Sequence, residues 1–83
     1  MSIEYYGAYL ALRKLDPDLA HLLSIAVNQA CSKGTPRAWL KVGRVMSRTE
    51  RALEGRDVVV REAHAHFREA VFALVAPLPG EFQ

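Results

Sequence analysis

The stretch from Gly34 to Gly55, GTPRAWLKVGRVMSRTERALEG, contains a complete set of helix signals. Gly34 can close a preceding helix in the left-handed conformation, and Thr35 followed by Pro36 combines an N-cap with a proline in the first helical turn. Apolar positions then recur at intervals of three and four residues until Gly55 can terminate the helix. We therefore predict a third helix from residue 36 to about 53–54. Its apolar stripe consists of Trp39, Val42, Met46, Thr49 and Leu53.

The same signals recur on both sides of this stretch. Asp16 and Pro17 repeat the cap-plus-proline pattern, Ser2 and Asp57 are further N-cap candidates, and Pro77 stops the last helix. The other predicted helices span residues 3–15, about 18–32, and from Asp57 to about residue 75. Their apolar residues also recur with helical spacing. In the second helix this core stripe consists of Leu19, Leu22, Leu23, Ala26, Val27 and Ala30.

These elements predict an all-α fold, a small four-helix antiparallel bundle with short connections and an extended C-terminal tail. The helical domain covers residues 1–76, and the tail covers residues 77–83, including Leu78 and Phe82, which could dock onto a groove. Residues 58–60, three consecutive valines, could form a strand, but no second run exists to pair with it. The 83 residues allow one domain with a thin core.

Composition excludes several classes of protein. The 11 Lys and Arg against 9 Asp and Glu give a net charge of only +2, so the distribution of charge must indicate any anionic partner. Cys31 is the single cysteine, which excludes an intrachain disulfide, and it most resembles a small buried apolar residue. No secretory signal and no apolar run of membrane-spanning length are present, so a cytoplasmic location is expected.

Five basic residues are spaced along the third helix at intervals of four, three, four and three. At 100° per residue they fall within an arc of about 80° over roughly 21 Å of helix. Four of them are arginines, whose planar guanidinium suits bidentate contacts with carboxylates or phosphates. We predict an exposed anion-binding surface, here called the basic row, that consists of Arg37, Lys41, Arg44, Arg48 and Arg51.

The alternative is an ordinary solvated face, or one that the protein's own acids neutralise. Adjacent like charges in the basic row should each cost about a few tenths of a kcal/mol, which bridges to neighbouring helices would offset. The candidate partners are Asp16, Asp18, Glu62 and Glu69.

The second and third helices could also form a helix-turn-helix. Ala30 and Gly34 have the spacing typical of that motif. However, the positions that should pack its two helices together hold Gln29, Lys33 and Gly43, which make a poor apolar contact. A chance match is the better interpretation.

The first helix has more apolar surface than one core contact needs. Its apolar residues form two stripes about 100° apart, one with Tyr5, Tyr9 and Leu12 and the other with Ile3, Tyr6 and Leu10. The fourth helix has a similar excess, and the alternative for the first helix is a central, well-buried position. The excess predicts self-association, most simply as a two-fold homodimer. The residues expected to mediate it are Tyr5, Tyr6, Tyr9 and Phe72.

The sequence predicts no catalytic or metal site. His64 and His66 are about 200° apart on a helix and cannot bind one ion together. Glu62, His66 and Glu69 share a face, but no second cluster of ligands completes a site, so a solvated polar face is favoured. The domain is also too small to enclose an ordinary substrate pocket. We therefore expect a protein that is not an enzyme and has no cofactor.

The leading functional prediction is a small helical regulator, adaptor or inhibitor that binds an acidic protein surface through the basic row. Trp39, at the edge of the apolar stripe, is either a core residue or a partner anchor beside the row. The alternative function is nucleic-acid binding, with the same row contacting phosphates. An architectural subunit of a larger assembly is a third interpretation.

Overall fold

The computed structural model describes residues 3–75, which form four α-helices. The helices are α1 (Ile3–Leu15), α2 (Pro17–Lys33), α3 (Pro36–Ala52) and α4 (Val58–Val75). The predicted all-α antiparallel bundle with short connections is confirmed, and residues 58–60 belong to α4 rather than to a strand. The predicted cap Ser2 and the predicted tail, with Leu78 and Phe82, lie outside the described residues.

Caps define the ends of the helices where the sequence predicts them. A carboxylate oxygen of Asp16 accepts a hydrogen bond from the backbone N–H of Leu19 at 3.1 Å, and the Thr35 hydroxyl accepts one from Ala38 at 3.2 Å. Gly34 has a φ of 65°, and its N–H donates to the carbonyl four residues earlier at 2.8 Å. The chain therefore turns back tightly after α1 and after α2.

The connection between α3 and α4 is the longest in the described chain, from residue 53 to 57. α3 ends at Ala52, slightly before the predicted end, and Gly55 lies in the turn with a φ of 86°. Asp57 then acts as the predicted cap, because its carboxylate accepts a hydrogen bond from the N–H of Val59 at 2.9 Å. This turn brings α4 back along the bundle.

The helices are packed unequally. α1 packs against both α2 and α4, and α2 packs against α3. α3 and α4 also contact each other, but less extensively than the other neighbouring pairs do. The third helix is therefore held mainly by α2, and an open groove remains beside its contact with α4.

The predicted apolar stripe of α3 is buried along its whole length, including Thr49. In α4, Phe67 and Val71 belong to the same core cluster, Val60 is also buried, and Phe67 has no exposed surface. Its ring lies 5.3 Å from that of Tyr5 on α1, a tilted aromatic contact. Complete burial of a side chain of this size stabilises the fold by roughly 2–3 kcal/mol.

Two predictions for α2 are wrong. Leu22, assigned to the core stripe, is half exposed, while Ala20 is fully buried. Cys31, expected to be buried, is exposed. The buried face of α2 is centred near Leu23, and at 100° per residue Leu22 and Cys31 lie on opposite sides of it, each displaced by roughly 80–100°.

Candidate basic interaction surface

α3 presents every member of the basic row to solvent. Arg37, Lys41, Arg44, Arg48 and Arg51 are all exposed, on a helix that is unbroken from Pro36 to Ala52. The buried stripe lies on the opposite side of the helix, which orients the five cations outward. The geometry that the sequence predicts for this segment is therefore present.

The protein's own acids do not neutralise the basic row within residues 3–75. The two ion pairs in that range join Arg56 to Asp16 at 3.7 Å and Arg68 to Glu50 at 3.9 Å, and neither involves a member of the row. Asp16, a candidate partner for the row, pairs instead with the turn before α4. As far as the described residues are concerned, the five charges thus remain available to an external anion.

Two open grooves flank the basic row, each with a volume of about 550 Å³. The α2–α3 groove lies at the start of α3 and is lined by Lys33, Thr35, Arg37, Ala38, Lys41, Arg44, Val45 and Arg48. The α3–α4 groove is lined by Leu40, Gly43, Arg44, Ser47, Arg48, Arg51, Arg68 and Phe72. Arg44 and Arg48 border both grooves, so the row forms the ridge between them.

A buried polar contact joins α3 to α4. The Thr49 hydroxyl lies 2.7 Å from Nε2 of His64 and 3.0 Å from the carbonyl of Met46. A hydroxyl donates only one hydrogen, so both bonds are made when Thr49 donates to Met46 and the Nε2–H of His64 donates to Thr49. The contact therefore selects one tautomer of the neutral imidazole.

Burial lowers the pKa of His64 below its ordinary value. The positive charge of Arg68 lowers it further, whereas Glu50 has the opposite effect. From the sequence, His64 is considered only as a possible metal ligand, and its place in the core is not predicted. A signal was available, because His64 lies four residues after Val60 and three before Phe67 on the apolar stripe of α4.

The aromatic residues predicted to mediate contacts are divided between core and surface. Trp39 is only 9% exposed and belongs to the core, so little of its side chain could anchor a partner. Tyr5 is also buried, which corrects its assignment to a self-association surface, and burial raises its pKa to about 12. Tyr9 is half-buried, while Tyr6 and Phe72 are exposed.

The second apolar stripe of α1 faces away from the core. Ile3 is 90% exposed and Tyr6 is 59% exposed, whereas Tyr5 and Leu12 on the first stripe are buried. The alternative of a fully enclosed first helix is therefore wrong. The described residues therefore leave an apolar face exposed on the outside of α1.

Within residues 3–75, no group of three or more His, Cys, Asp or Glu side chains is placed to hold a metal ion. None of the helices in that range combines the length and apolarity that crossing a membrane requires. Glu62, His66 and Glu69 are exposed on α4.

Comparison with protein-family models gives no match. Searches of the curated proteins and of the solved structures likewise give no significant match to this chain. The arrangement of its own residues is therefore the basis for a functional argument.

Proposed function

We propose that this protein is a small, non-catalytic interaction protein that binds an acidic protein surface through the basic row. The observation that carries the proposal is the alignment of five exposed cations on one face of α3 with no carboxylate partner among the described residues. Arg56 and Arg68 each have a carboxylate within 4 Å, whereas the five members of the row have none in the described part of the chain.

Repulsion among the charges of the basic row favours the binding of an external acidic partner. Its neighbouring cations are three or four residues apart, a spacing at which like charges each cost about 0.2–0.5 kcal/mol. An acidic partner would convert this repulsion into attraction and would orient on the row as it approaches. Arginine supplies two parallel donors to each carboxylate, which adds geometric selectivity.

A charge-reversal pair tests the proposal. Lys41→Glu/Arg44→Glu reverses the centre of the row, and Arg13→Glu/Arg61→Glu makes the same change in net charge at exposed positions outside it. Binding of a labelled, glutamate-rich 16-residue peptide is measured by fluorescence anisotropy. We expect the row variant to lose at least tenfold in affinity and the control to lose much less. Equal losses would show that net charge alone attracts the peptide.

Nucleic-acid binding is the second candidate, favoured by the absence of any acidic residue along the row. Contacts with phosphates release counterions, so affinity for an arbitrary duplex would fall steeply with salt. Titration of a labelled duplex at several salt concentrations measures that slope. A slope that becomes shallower in Arg44→Ala/Arg48→Ala supports this candidate, and no binding at low salt excludes non-specific phosphate contacts.

A second copy of this chain is also proposed as a partner. Ile3 and Tyr6 on the outer face of α1, together with Phe72 on α4, are the exposed apolar side chains that support a homodimer. Light scattering across a concentration series tests this, with Tyr6→Ser as the variant expected to weaken association. A monomer mass at every concentration would contradict it.

A further inference from the structure

The α3–α4 groove combines an apolar floor with a cationic rim. Leu40 on α3 is 58% exposed and Phe72 on α4 is 47% exposed, and both line the groove. Between them Gly43 contributes no side chain, and a Cβ placed there would meet nothing within 4 Å. The floor is therefore open to an apolar group that enters from solvent.

The rim carries charge of one sign. Arg44, Arg48 and Arg51 line the groove from α3, and Arg68 lines it from α4. No carboxylate contributes to the lining among the described residues. Acidic groups along the α3 side of the floor would therefore meet arginines without a carboxylate partner among the described residues, whereas Arg68 on α4 would share its charge with Glu50.

Arg68 restricts what can occupy this floor. Its guanidinium lies over the Phe72 ring, 5.1 Å from the ring centre, and it also contacts Glu50 at 3.9 Å. Arg68 covers one face of the Phe72 ring, so a nucleic-acid base cannot stack on that face while the cation stays in place, and a phosphate makes no apolar contact with Leu40. An aliphatic side chain can instead lie between Leu40 and the edge of the ring while Arg68 stays in place.

From this arrangement we propose that the α3–α4 groove docks an acidic amphipathic segment of a partner protein. One or two apolar side chains of the segment enter the floor, and carboxylates on both sides of them pair with the arginines of the rim. This inference rests on the proposed binding of an acidic protein surface. It adds that apolar contact in this groove, rather than charge alone, selects the partner.

Two synthetic 16-residue peptides of equal negative charge test the groove. In one, leucines follow one face of a helix and glutamates flank them; in the other, glutamine replaces every leucine. Anisotropy titration of the native protein should show the leucine peptide binding about tenfold more tightly, the effect of burying one such side chain. Equal affinities would overturn the proposal that the groove docks an apolar side chain and would leave the basic row as the binding surface. If neither peptide binds, the proposed function fails as well.

A matched pair of variants tests whether the preference for the leucine peptide arises in the α3–α4 groove. Leu40→Gln removes the floor of the groove, while Leu22→Gln makes the same change at a similarly exposed position on α2. Because both leucines are largely exposed, both variants should fold, which circular dichroism verifies. We expect the preference for the leucine peptide to disappear in Leu40→Gln and to remain in Leu22→Gln. A preference that survives in Leu40→Gln would place the apolar contact elsewhere and overturn the inference.

Discussion

The two neighbours of α4 hold it by different chemistry. Toward α1 the contact is apolar, with Phe67 fully buried and its ring 5.3 Å from that of Tyr5. Toward α3 the contact is less extensive, and its buried centre is the hydrogen bond between Thr49 and His64. The free energy of apolar burial depends little on pH or on the relative orientation of the groups, whereas that of a buried hydrogen bond to histidine depends on both. The side of the bundle that carries the basic row is thus the more specifically oriented and the more easily perturbed.

The largest effect is expected from breaking the apolar contact. Phe67→Ala leaves a cavity between α1 and α4 and should lower the free energy of unfolding by about 3–5 kcal/mol, measured by urea denaturation. That loss is large for a domain of this size, so Phe67→Leu provides a milder variant, expected to lose roughly 1–2 kcal/mol. Phe72→Leu is the exposed control. A similar loss in Phe72→Leu would show that the core is not centred on Phe67.

A smaller effect is expected from breaking the polar contact. Thr49→Val keeps the shape of the side chain but leaves the buried His64 without its partner, which should cost about 1–3 kcal/mol in the same assay. Thr49→Ser retains the hydroxyl and should lose less. If Thr49→Val were as stable as the native protein, the hydrogen bond would contribute nothing to the joining of α3 and α4.

Acid should weaken the same contact. Because burial lowers the pKa of His64, the folded protein resists a proton that the unfolded chain accepts below pH about 6.5. Stability is then fully present above that pH and is lost as the pH falls through the pKa of the folded state. Urea midpoints at pH 7.5, 6.5 and 5.5 should show the decline, and His64→Gln should remove it. His66→Gln, at an exposed position, should retain it; the opposite ranking would assign the effect to His66.

The smallest effect concerns the exposed side of α3. Arg44→Gln removes repulsion with Lys41 and Arg48 and should raise the free energy of unfolding by about 0.5 kcal/mol at low salt. The gain should shrink at high salt because the charges are screened. Arg13→Gln, near the end of α1, should instead lose slightly, since a cation there favours the helix dipole. A loss of stability in Arg44→Gln would show that Arg44 contributes packing within the fold.

Local signals explain how much of the fold could be predicted. The cap-plus-proline pairs and Gly34 fix helix ends through bonds to residues three or four positions away, so sequence alone is sufficient. The stripe of α3 was predicted completely because a helix with one cationic and one apolar side has a single possible orientation. On α2 apolar residues occur on several sides, and only the packing partners decide that Leu23 is buried and Leu22 exposed.

The binding surface was predictable only in part. The spacing of the basic row predicts its alignment, but whether its charges were already paired depended on the distances between helices. The α3–α4 groove could not be foreseen, because Leu40 and Phe72 line it from two different helices and neither lies on a core stripe. His64 was missed because histidine is usually a surface residue, although its facing partner Thr49 was correctly assigned to the core.

The placement of the aromatic residues has an optical consequence. The three tyrosines all lie on α1, and Trp39, the single tryptophan, lies on α3 in the core. Energy that a tyrosine on α1 absorbs can therefore be transferred to Trp39 on α3 and emitted there while the bundle is folded. A shift of the Trp39 emission to longer wavelength would signal that α3 has separated from the core and exposed Trp39 to water. A rise in tyrosine emission would signal that α1 has moved away from Trp39. The native chain thus carries two kinds of fluorophore that report on the separation of α1 and of α3 during unfolding.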